Sequence, residues 1–235
     1  MFAARNVMMT GKNPVAFDAV AAGGFTGNSG SNPLTTTWTH TPVGTPAAGL
    51  VLASYESTGS TNTMTATWGG ISMTSLGKVN AYGSFFSFPN TYYFYVEVFG
   101  LLKPPTGAQT ISVSQSGSGT KYLGANSVTY LGVQGFGPAA TSNSTSGTTS
   151  QSGGALTVTS AVNERIVVLL GNNASTSGAG FTAFSGTTRF SRNVALNVSP
   201  VMLIGDGLGS GSSTAFTATS STAANYGAVS VRLLP

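Results

Sequence analysis

The 235-residue chain contains no cysteine, which excludes disulfide bonds, zinc–thiolate sites and thiol catalysis. Charged residues are also scarce, at 6% of the chain, whereas about 25% is usual in soluble domains. The surface must therefore be covered mainly by Ser, Thr, Asn, Gln and Gly. Such a surface suits the outward-facing parts of particles and sugar-binding modules. It equally suits chains whose faces are covered by neighbouring subunits.

Long apolar segments are missing as well. The sequence has no apolar run of about 20 residues, so no membrane span is predicted. Residues 1–12 lack the charged start and the apolar stretch that define a signal peptide. We therefore expect synthesis in a cytoplasm, with any release occurring inside a particle or on lysis.

Residues 1–14 form an N-terminal extension ahead of the first predicted strand. The extension carries four apolar side chains, those of Phe2, Val7, Met8 and Met9. Apolar side chains at a chain terminus are often covered by another surface. We expect these four residues to dock on a partner or a neighbouring subunit, although an extra edge strand explains them equally well.

Apolar and polar residues alternate along most of the chain, with Gly, Ser, Asn or Pro between the alternating segments. No segment shows sustained helical periodicity. This pattern is typical of a sandwich or barrel, and we expect an all-β fold, an antiparallel β-sandwich of jelly-roll-like type. The predicted strands cover residues 34–40, 49–55, 63–68, 92–99, 109–113, 127–133, 155–159, 165–170, 201–204, 214–219 and 226–233.

With 40% hydrophobic residues, residues 15–235 can supply the core of a single sandwich domain. A Ser-, Thr- and Gly-rich tract at residues 141–154 interrupts the pattern and is either a linker or a loop. We prefer a long surface loop, because the strands predicted after it are few for an independent core.

Residues 92–99 are apolar at nearly every position, which predicts a central strand buried on both faces. Glu97 lies inside this strand and needs a partner, for which a tyrosine hydroxyl or an arginine would serve. Pro104 and Pro105 end the strand because they remove hydrogen-bond donors. Residues 109–113 would then return as its hairpin partner.

Trp68-Gly69-Gly70-Ile71 predicts a tight reversal of the chain. Paired glycines accept the positive φ angles that two-residue hairpin turns require. Residues 73–79 would pair back across this turn.

The sequence offers few residues for acid–base catalysis. His40 is the single histidine, so a Ser-His-Asp triad would have to use it; its segment instead predicts a strand histidine bonded to neighbouring hydroxyls. Glu97 is expected to be a paired structural carboxylate, Glu56 and Glu164 to lie at strand ends or turns, and Asp206 to lie in a turn that makes a poor calcium site. We therefore expect no enzymatic activity, no cofactor and no metal.

The cations are scattered, although Lys and Arg outnumber Asp and Glu by nine to five. No basic run of the kind that follows nucleic-acid phosphates occurs. Arg189 and Arg192 would lie on opposite faces of a strand because their separation is odd. We expect no nucleic-acid partner.

Aromatic side chains in a predicted loop at residues 82–90 are the strongest binding signal. Tyr82, Phe85 and Phe86 lie in this segment and Tyr92 follows it. Sugar rings stack on aromatic faces, so the four residues are candidates for contact with a glycan or a partner. Coverage of the sandwich end or of an oligomer interface is the favoured alternative.

Four segments, in chain order, carry a resemblance to a known family. They are Thr-Trp-Thr-His-Thr (37–41), Ala-Gly-Leu-Val-Leu-Ala-Ser-Tyr (48–55), Ala-Thr-Trp-Gly-Gly-Ile-Ser-Met-Thr-Ser-Leu-Gly (66–77) and Val-Glu-Val-Phe-Gly-Leu-Leu-Lys-Pro-Pro-Thr-Gly-Ala-Gln-Thr-Ile-Ser-Val (96–113). This order resembles the β-sandwich pattern of minor tail proteins from phages infecting mycobacteria and related actinobacteria. The resemblance covers residues 34–135, and the elements at 69–77 and 104–107 carry most of it.

The resemblance implies a virion protein at the tail or tail tip and supplies no catalytic residue. We therefore expect a structural component of a phage virion, assembled in the host cytoplasm with other virion proteins. A homo-oligomer and contact with a host cell-surface glycan are also expected. A carbohydrate-binding module and a capsid decoration protein remain alternatives.

Overall fold

The structure, a computed structural model, describes residues 13–87, 90–172, 180–193 and 200–235, without the side chains of residues 28, 81–87, 90–92 and 146. Within these ranges the chain forms antiparallel strands and no helix, which confirms the expected all-β fold. No helix in the described residues is long and apolar enough to cross a membrane.

The strands in chain order are β1 (Ala16–Val20), β2 (Gly24–Ser29), β3 (Leu34–His40), β4 (Ala48–Ser57), β5 (Asn62–Trp68), β6 (Ile71–Ser72), β7 (Thr74–Ser87), β8 (Asn90–Leu102), β9 (Gln109–Gly117), β10 (Lys121–Leu131), β11 (Gly135–Phe136), β12 (Ala140–Thr159), β13 (Arg165–Asn172), β14 (Phe181–Phe184), β15 (Thr187–Arg192), β16 (Val201–Leu208) and β17 (Ser213–Leu234). They form three sheets. Sheet 1 has the order β1–β10–β4–β8–β7, with β2 also pairing with β10. Sheet 2 has the order β3–β9–β5–β6. Sheet 3 has the order β11–β17–β13–β16–β15, with β12 and β14 also on β17.

Strands β2 to β10 have the connectivity of a jelly roll. Early strands pair with late ones in both sheets, giving β2–β10–β4–β8 in sheet 1 and β3–β9–β5–β6 in sheet 2. Two Greek keys wound together produce this order. The expected jelly-roll-like sandwich is therefore confirmed.

Sheet 1 is packed on both faces. Strand β4 is buried at every one of its ten positions, and successive side chains of a strand point to opposite faces. Leu50 and Leu52 face a core shared with sheet 3, whereas Val51 and Tyr55 face a core shared with sheet 2. Sheet 1 is thus the central layer of the molecule.

Sheet 3 folds over itself through the 22-residue strand β17. Residues 226–233 of β17 pair with β13, and residues 226–230 pair on their other side with residues 140–144 of β12. Residues 213–219 of β17 pair with residues 150–159 of β12. A third core lies between these parts, in which Leu156 and Phe216 pack with Ile166 and Val168. The ribbon formed by residues 150–159 of β12 and residues 213–219 of β17 is therefore an additional outer layer.

The tract at residues 141–154 is strand and not the expected loop. It forms most of β12 and pairs with β17, from Thr141 opposite Val229 to Ser152 opposite Thr217. Interruptions in the pairing register accommodate the glycines, including Gly153 at a φ of 73°. Small polar residues can serve as a strand here because the apolar side chains of the ribbon come from β17 and from Ala155, Leu156 and Val158 at the end of β12.

The expected hairpin between β8 and residues 109–113 is wrong. Those residues begin β9, which pairs with β3 and β5 in sheet 2. The segment with Pro104 and Pro105 ends β8 as expected, but it carries the chain from sheet 1 to sheet 2. The central position of residues 92–99 is confirmed, because β8 lies between β4 and β7.

The reversal at Gly69 and Gly70 is confirmed, with φ angles of 56° and 82°. Only the short strand β6 pairs back with β5. From Thr74 onward the chain is β7, which pairs with β8 in sheet 1. The expected pairing of residues 73–79 across the turn is therefore wrong beyond its first residues.

Because sheet 1 contributes to two cores, we expect Leu52→Ala to destabilise the molecule by about 2–5 kcal/mol, through lost burial and the cavity left behind. Val43→Ala, at a side chain that is 87% exposed, should change the unfolding free energy by less than about 0.5 kcal/mol. Guanidinium denaturation measures both values. Equal effects of the two variants would contradict the central role of sheet 1.

Candidate functional site

His40 lies at the end of β3 in a closed polar network. Its Nδ1 is 2.8 Å from Ser127 Oγ and its Nε2 is 3.2 Å from Thr129 Oγ1. Trp38 Nε1 donates to the same Ser127 oxygen at 2.8 Å, and Thr129 Oγ1 donates to Asp18 Oδ2 at 2.7 Å. The prediction of a strand histidine bonded to neighbouring hydroxyls is confirmed.

The bonds of this network fix the tautomer of His40. Since the Thr129 hydroxyl donates to Asp18, its oxygen is left to accept a proton from Nε2–H. Nδ1 is then the acceptor for the Ser127 hydroxyl, whose oxygen accepts from Trp38. Every hydrogen-bond donor in this network of four side chains around His40 has an acceptor when the imidazole is neutral.

Ser127, His40 and Asp18 are the residue types of a hydrolytic triad, but solvent does not reach Ser127 or His40. Ser127 is 0% and His40 1% exposed, and Ser127 Oγ is already engaged by Trp38. Burial lowers the pKa of His40 to about 4, against a partly offsetting attraction to Asp18. This network holds β3 to β10 and presents no nucleophile to a substrate.

Glu97 is a paired structural carboxylate, as expected. Tyr55 donates to its Oε2 at 3.0 Å and Ser75 to its Oε1 at 2.7 Å. The ring of Tyr55 stacks on Tyr95 at 5.1 Å, and Lys78 Nζ lies 4.6 Å from the Tyr95 ring centroid. The carboxylate thus joins the middle of sheet 1 to its edge strand.

Asp206 is not in a turn, contrary to expectation. It lies within β16, is fully buried, and binds Arg165 Nη1 at 2.6 Å and Arg189 Nε at 2.8 Å. Tyr130 of β10 donates to it at 2.8 Å. This carboxylate therefore connects sheet 1 to three neighbouring strands of sheet 3.

The other two acids with a predicted position are at strand ends or turns, as expected. Glu56 is buried near the end of β4. Glu164 precedes β13, accepts from the Ala161 amide at 3.0 Å and pairs with Arg232 at 3.3 Å.

Arg189 and Arg192 both lie against sheet 1, so the expectation of opposite faces is wrong. The Arg189 guanidinium is 3.9 Å from the Phe17 ring centroid, and that of Arg192 is 3.8 Å from the Phe25 centroid. The pairing of β15 with β16 shifts register around Arg189. Such a bulge inserts one residue and breaks the alternation of side chains.

The aromatic segment at residues 82–92 is a hairpin of β7 and β8 and not a loop. Phe85 pairs with Tyr92 and Phe86 with Thr91. β4 pairs with β8 only from Tyr93 onward, so the hairpin continues beyond the neighbouring strand. The side chains of Tyr82, Phe85, Phe86 and Tyr92 lie outside the described part, as do the docking candidates Phe2, Val7, Met8 and Met9.

The outer face of sheet 2 is a regular array of hydroxyl groups. Its outward positions are occupied by Thr35, Thr37 and Thr39 of β3, by Thr63, Thr65 and Thr67 of β5, and by Thr110, Ser112, Ser114 and Ser116 of β9. The register aligns them in rows across the sheet, for example Thr35 opposite Ser114 and Ser114 opposite Thr65. None of these side chains is charged.

Sequence reasoning missed this hydroxyl face. Its signal was present as threonine at every second position of residues 35–39 and 63–67. Period-2 threonine indicates one face of a strand, but it does not indicate that the strands lie one on each side of β9. That arrangement follows from the jelly-roll order.

No protein-family model, curated protein or solved structure matches the chain. In the part that the structure describes, no three His, Cys, Asp or Glu side chains are grouped closely enough to hold a metal ion. The fold and its described contacts are therefore the basis for inferring a function.

The His40 network predicts a specific pH dependence of stability. The unfolded histidine takes up a proton near its ordinary pKa of 6.5, while the folded one does so only near 4. The unfolded state therefore binds more protons in this window, and the unfolding free energy should fall as pH is lowered from 6.5 to 4. Urea denaturation at several pH values should show a weaker decrease for His40→Gln. Identical pH profiles for the variant and the natural chain would contradict this assignment.

The Asp206 cluster predicts a large loss of stability on its disruption. Asp206→Asn leaves two arginines without their counter-charge and should cost about 3–5 kcal/mol, while Tyr130→Phe should cost about 1.5–3 kcal/mol. Glu164→Gln is the control, because Glu164 pairs with a single arginine at 3.3 Å and glutamine can still accept from the Ala161 amide, so its loss should be clearly smaller. Chemical denaturation measures all three. A loss from Asp206→Asn no larger than that of the control would refute a linking role.

Proposed function

We propose that the chain is a structural component of a phage virion, a minor tail or tail-tip protein that contributes to contact with the host surface. The observation that carries this proposal is that most ionisable side chains of the described residues make contacts inside the protein, where several of them join its layers. A packed body with few exposed charges suits a subunit that presents surfaces to other molecules.

The acids and the histidine are committed to internal contacts. Asp206 binds two arginines, Glu97 accepts from Tyr55 and Ser75, and His40 is enclosed by hydroxyls. Catalytic acids and bases must reach a substrate, and these groups face inward. Their arrangement supports a structural or binding role.

Several cations also serve internal contacts. Lys121 is 0% exposed and donates to the carbonyl oxygens of Ser31 and Gly119. Lys78 and Arg192 lie over aromatic rings. Hydroxyl and amide groups therefore cover most of the described exterior, on which Lys78 and Lys103 are exposed cations. Such a surface suits contact with partners of low charge.

The two elements that carry most of the family resemblance occupy structural positions in the jelly roll. Gly69 and Gly70 form the turn between β5 and β6. The element at residues 104–107 lies in the connection from β8 to β9. Both support the resemblance by having a role in this fold, and neither supplies a reactive side chain.

A carbohydrate-binding module is the second candidate, favoured by the hairpin of β7 and β8. This ribbon extends past the end of the β4 pairing and carries Tyr82, Phe85, Phe86 and Tyr92 on its strands. Aromatic residues on a projecting ribbon suit the stacking of sugar rings.

Labelling of intact particles tests the proposed function. We expect an antibody raised against the purified chain to bind the tail or tail tip of the phage that encodes it, as seen by electron microscopy. Labelling on the capsid would replace the proposal with a decoration protein, and absence of the chain from purified particles would overturn it.

A glycan array with the purified chain tests the second candidate. A carbohydrate-binding module that uses the hairpin should lose its bound glycans in Tyr82→Ala. Thr157→Ala is the control, because Thr157 lies on β12 in the outer layer formed with β17. Absence of binding, or binding that Tyr82→Ala leaves intact, removes this use of the hairpin.

A further inference from the structure

We propose that the outer face of sheet 2 is a binding trough for a linear, uncharged polysaccharide. The inference rests on the proposed contact with the host surface and names the chemistry of the contacted polymer. It concerns a different surface from the aromatic hairpin.

The shape of the face favours a linear chain. Its middle strand, β9, presents Ser112, Ser114 and Ser116 and, at one end, Thr110, while threonines stand on β3 and β5 at either side. A serine lacks the methyl group of a threonine, so the middle strand is lower than its flanks along the three serines. These serines are half-buried, whereas the flanking threonines are exposed except for Thr67, and the exposed Thr110 closes one end. The result is a shallow trough along β9 between two ridges.

The spacing of the hydroxyls favours a repeating polymer. Neighbouring strands are about 4.8 Å apart, and outward side chains recur about every 6.7 Å along a strand. Thr35 Oγ1 on the β3 ridge and Ser114 Oγ on β9 are already hydrogen-bonded to each other, at 2.7 Å. A polymer with hydroxyls along its length can repeat the same contact at each step.

The groups of the trough are held in place before any partner arrives. The inward side of sheet 2 is packed with Trp38, Trp68 and Ile111. Threonine is restricted at χ1 because it is branched at Cβ. Little freedom remains to be lost on binding, which favours weak polar contacts.

The chemistry of the face selects an uncharged, hydroxyl-rich partner. Each Ser or Thr hydroxyl both donates and accepts, as a sugar hydroxyl does. Protein interfaces are enriched in aromatic residues, Met and Arg, and the trough has none of these.

Binding to immobilised polysaccharides tests the inference. We expect the purified chain to be retained by at least one of a galactan, an arabinan, a mannan and a glucan. Retention by anionic polygalacturonate, which the net charge of +4 favours, should be abolished by salt. Retention by a neutral polymer should be unchanged at high salt, because no ion pair is involved. Ser112→Ile fills the trough and should weaken retention at least tenfold.

Ser152→Ile is the matched control, since it makes the same change at an exposed position of β12, in the outer layer formed with β17. Thr37→Val with Thr65→Val is a second test, which removes ridge hydroxyls while keeping the branched shape. All variants keep or raise β-propensity, and circular dichroism checks their fold.

Three results would overturn the inference: no retention on any neutral polymer, an equal loss in Ser152→Ile, or retention on a neutral polymer that salt abolishes. Self-association lost in Ser112→Ile, without polysaccharide binding, would identify a second copy as the occupant instead. Because the assay uses the purified chain, it is independent of where the protein lies on a particle. A negative labelling result would therefore overturn the proposed location and leave polysaccharide binding standing. A negative binding result would overturn the trough and leave the location standing.

Discussion

Sheet 1 is packed on both faces, and this double burial is the constraint on which the other layers depend. A strand such as β4 cannot alternate between core and solvent, because Leu52 belongs to one core and Val51 to the other. Its polar atoms must then find partners inside the protein. Tyr130 bonds Asp206 of sheet 3, and Ser127 and Thr129 bond His40 of sheet 2, so these contacts connect sheet 1 to its neighbours. The contacts of Glu97 with Tyr55 and Ser75 instead join strands within sheet 1.

The same constraint explains how so few charges suffice. Asp206 brings Arg165, Arg189 and Tyr130 together where sheets 1 and 3 meet. Charge in this position gives a directional link between layers that apolar packing alone does not provide. Since the charges are used for such links, the outer faces are left to threonine and serine, which favour strands and hydrate without charge.

Local pattern predicted the strands whose alternation is strong, such as residues 34–40, and the environment of His40. It failed for residues 141–154, whose strand partner β17 is remote in the chain, and where a turn-like pair, Asp206-Gly207, lies inside a strand. The partners of Asp206 come from β10, β13 and β15, which no local window contains. The hydroxyl face was likewise out of reach, because it depends on which strands flank β9.

An uncharged hydroxyl face gains little from each contact, since water competes for every hydrogen bond. Such a face becomes effective when its groups are rigid and when several copies act together. The packed inner side of sheet 2 supplies the rigidity, and an oligomer on a particle would supply the copies by raising the effective concentration of sites. Weak binding per copy also permits release and rebinding along a polymer. The low charge, the double burial and the proposed role in host contact are therefore parts of one physical arrangement.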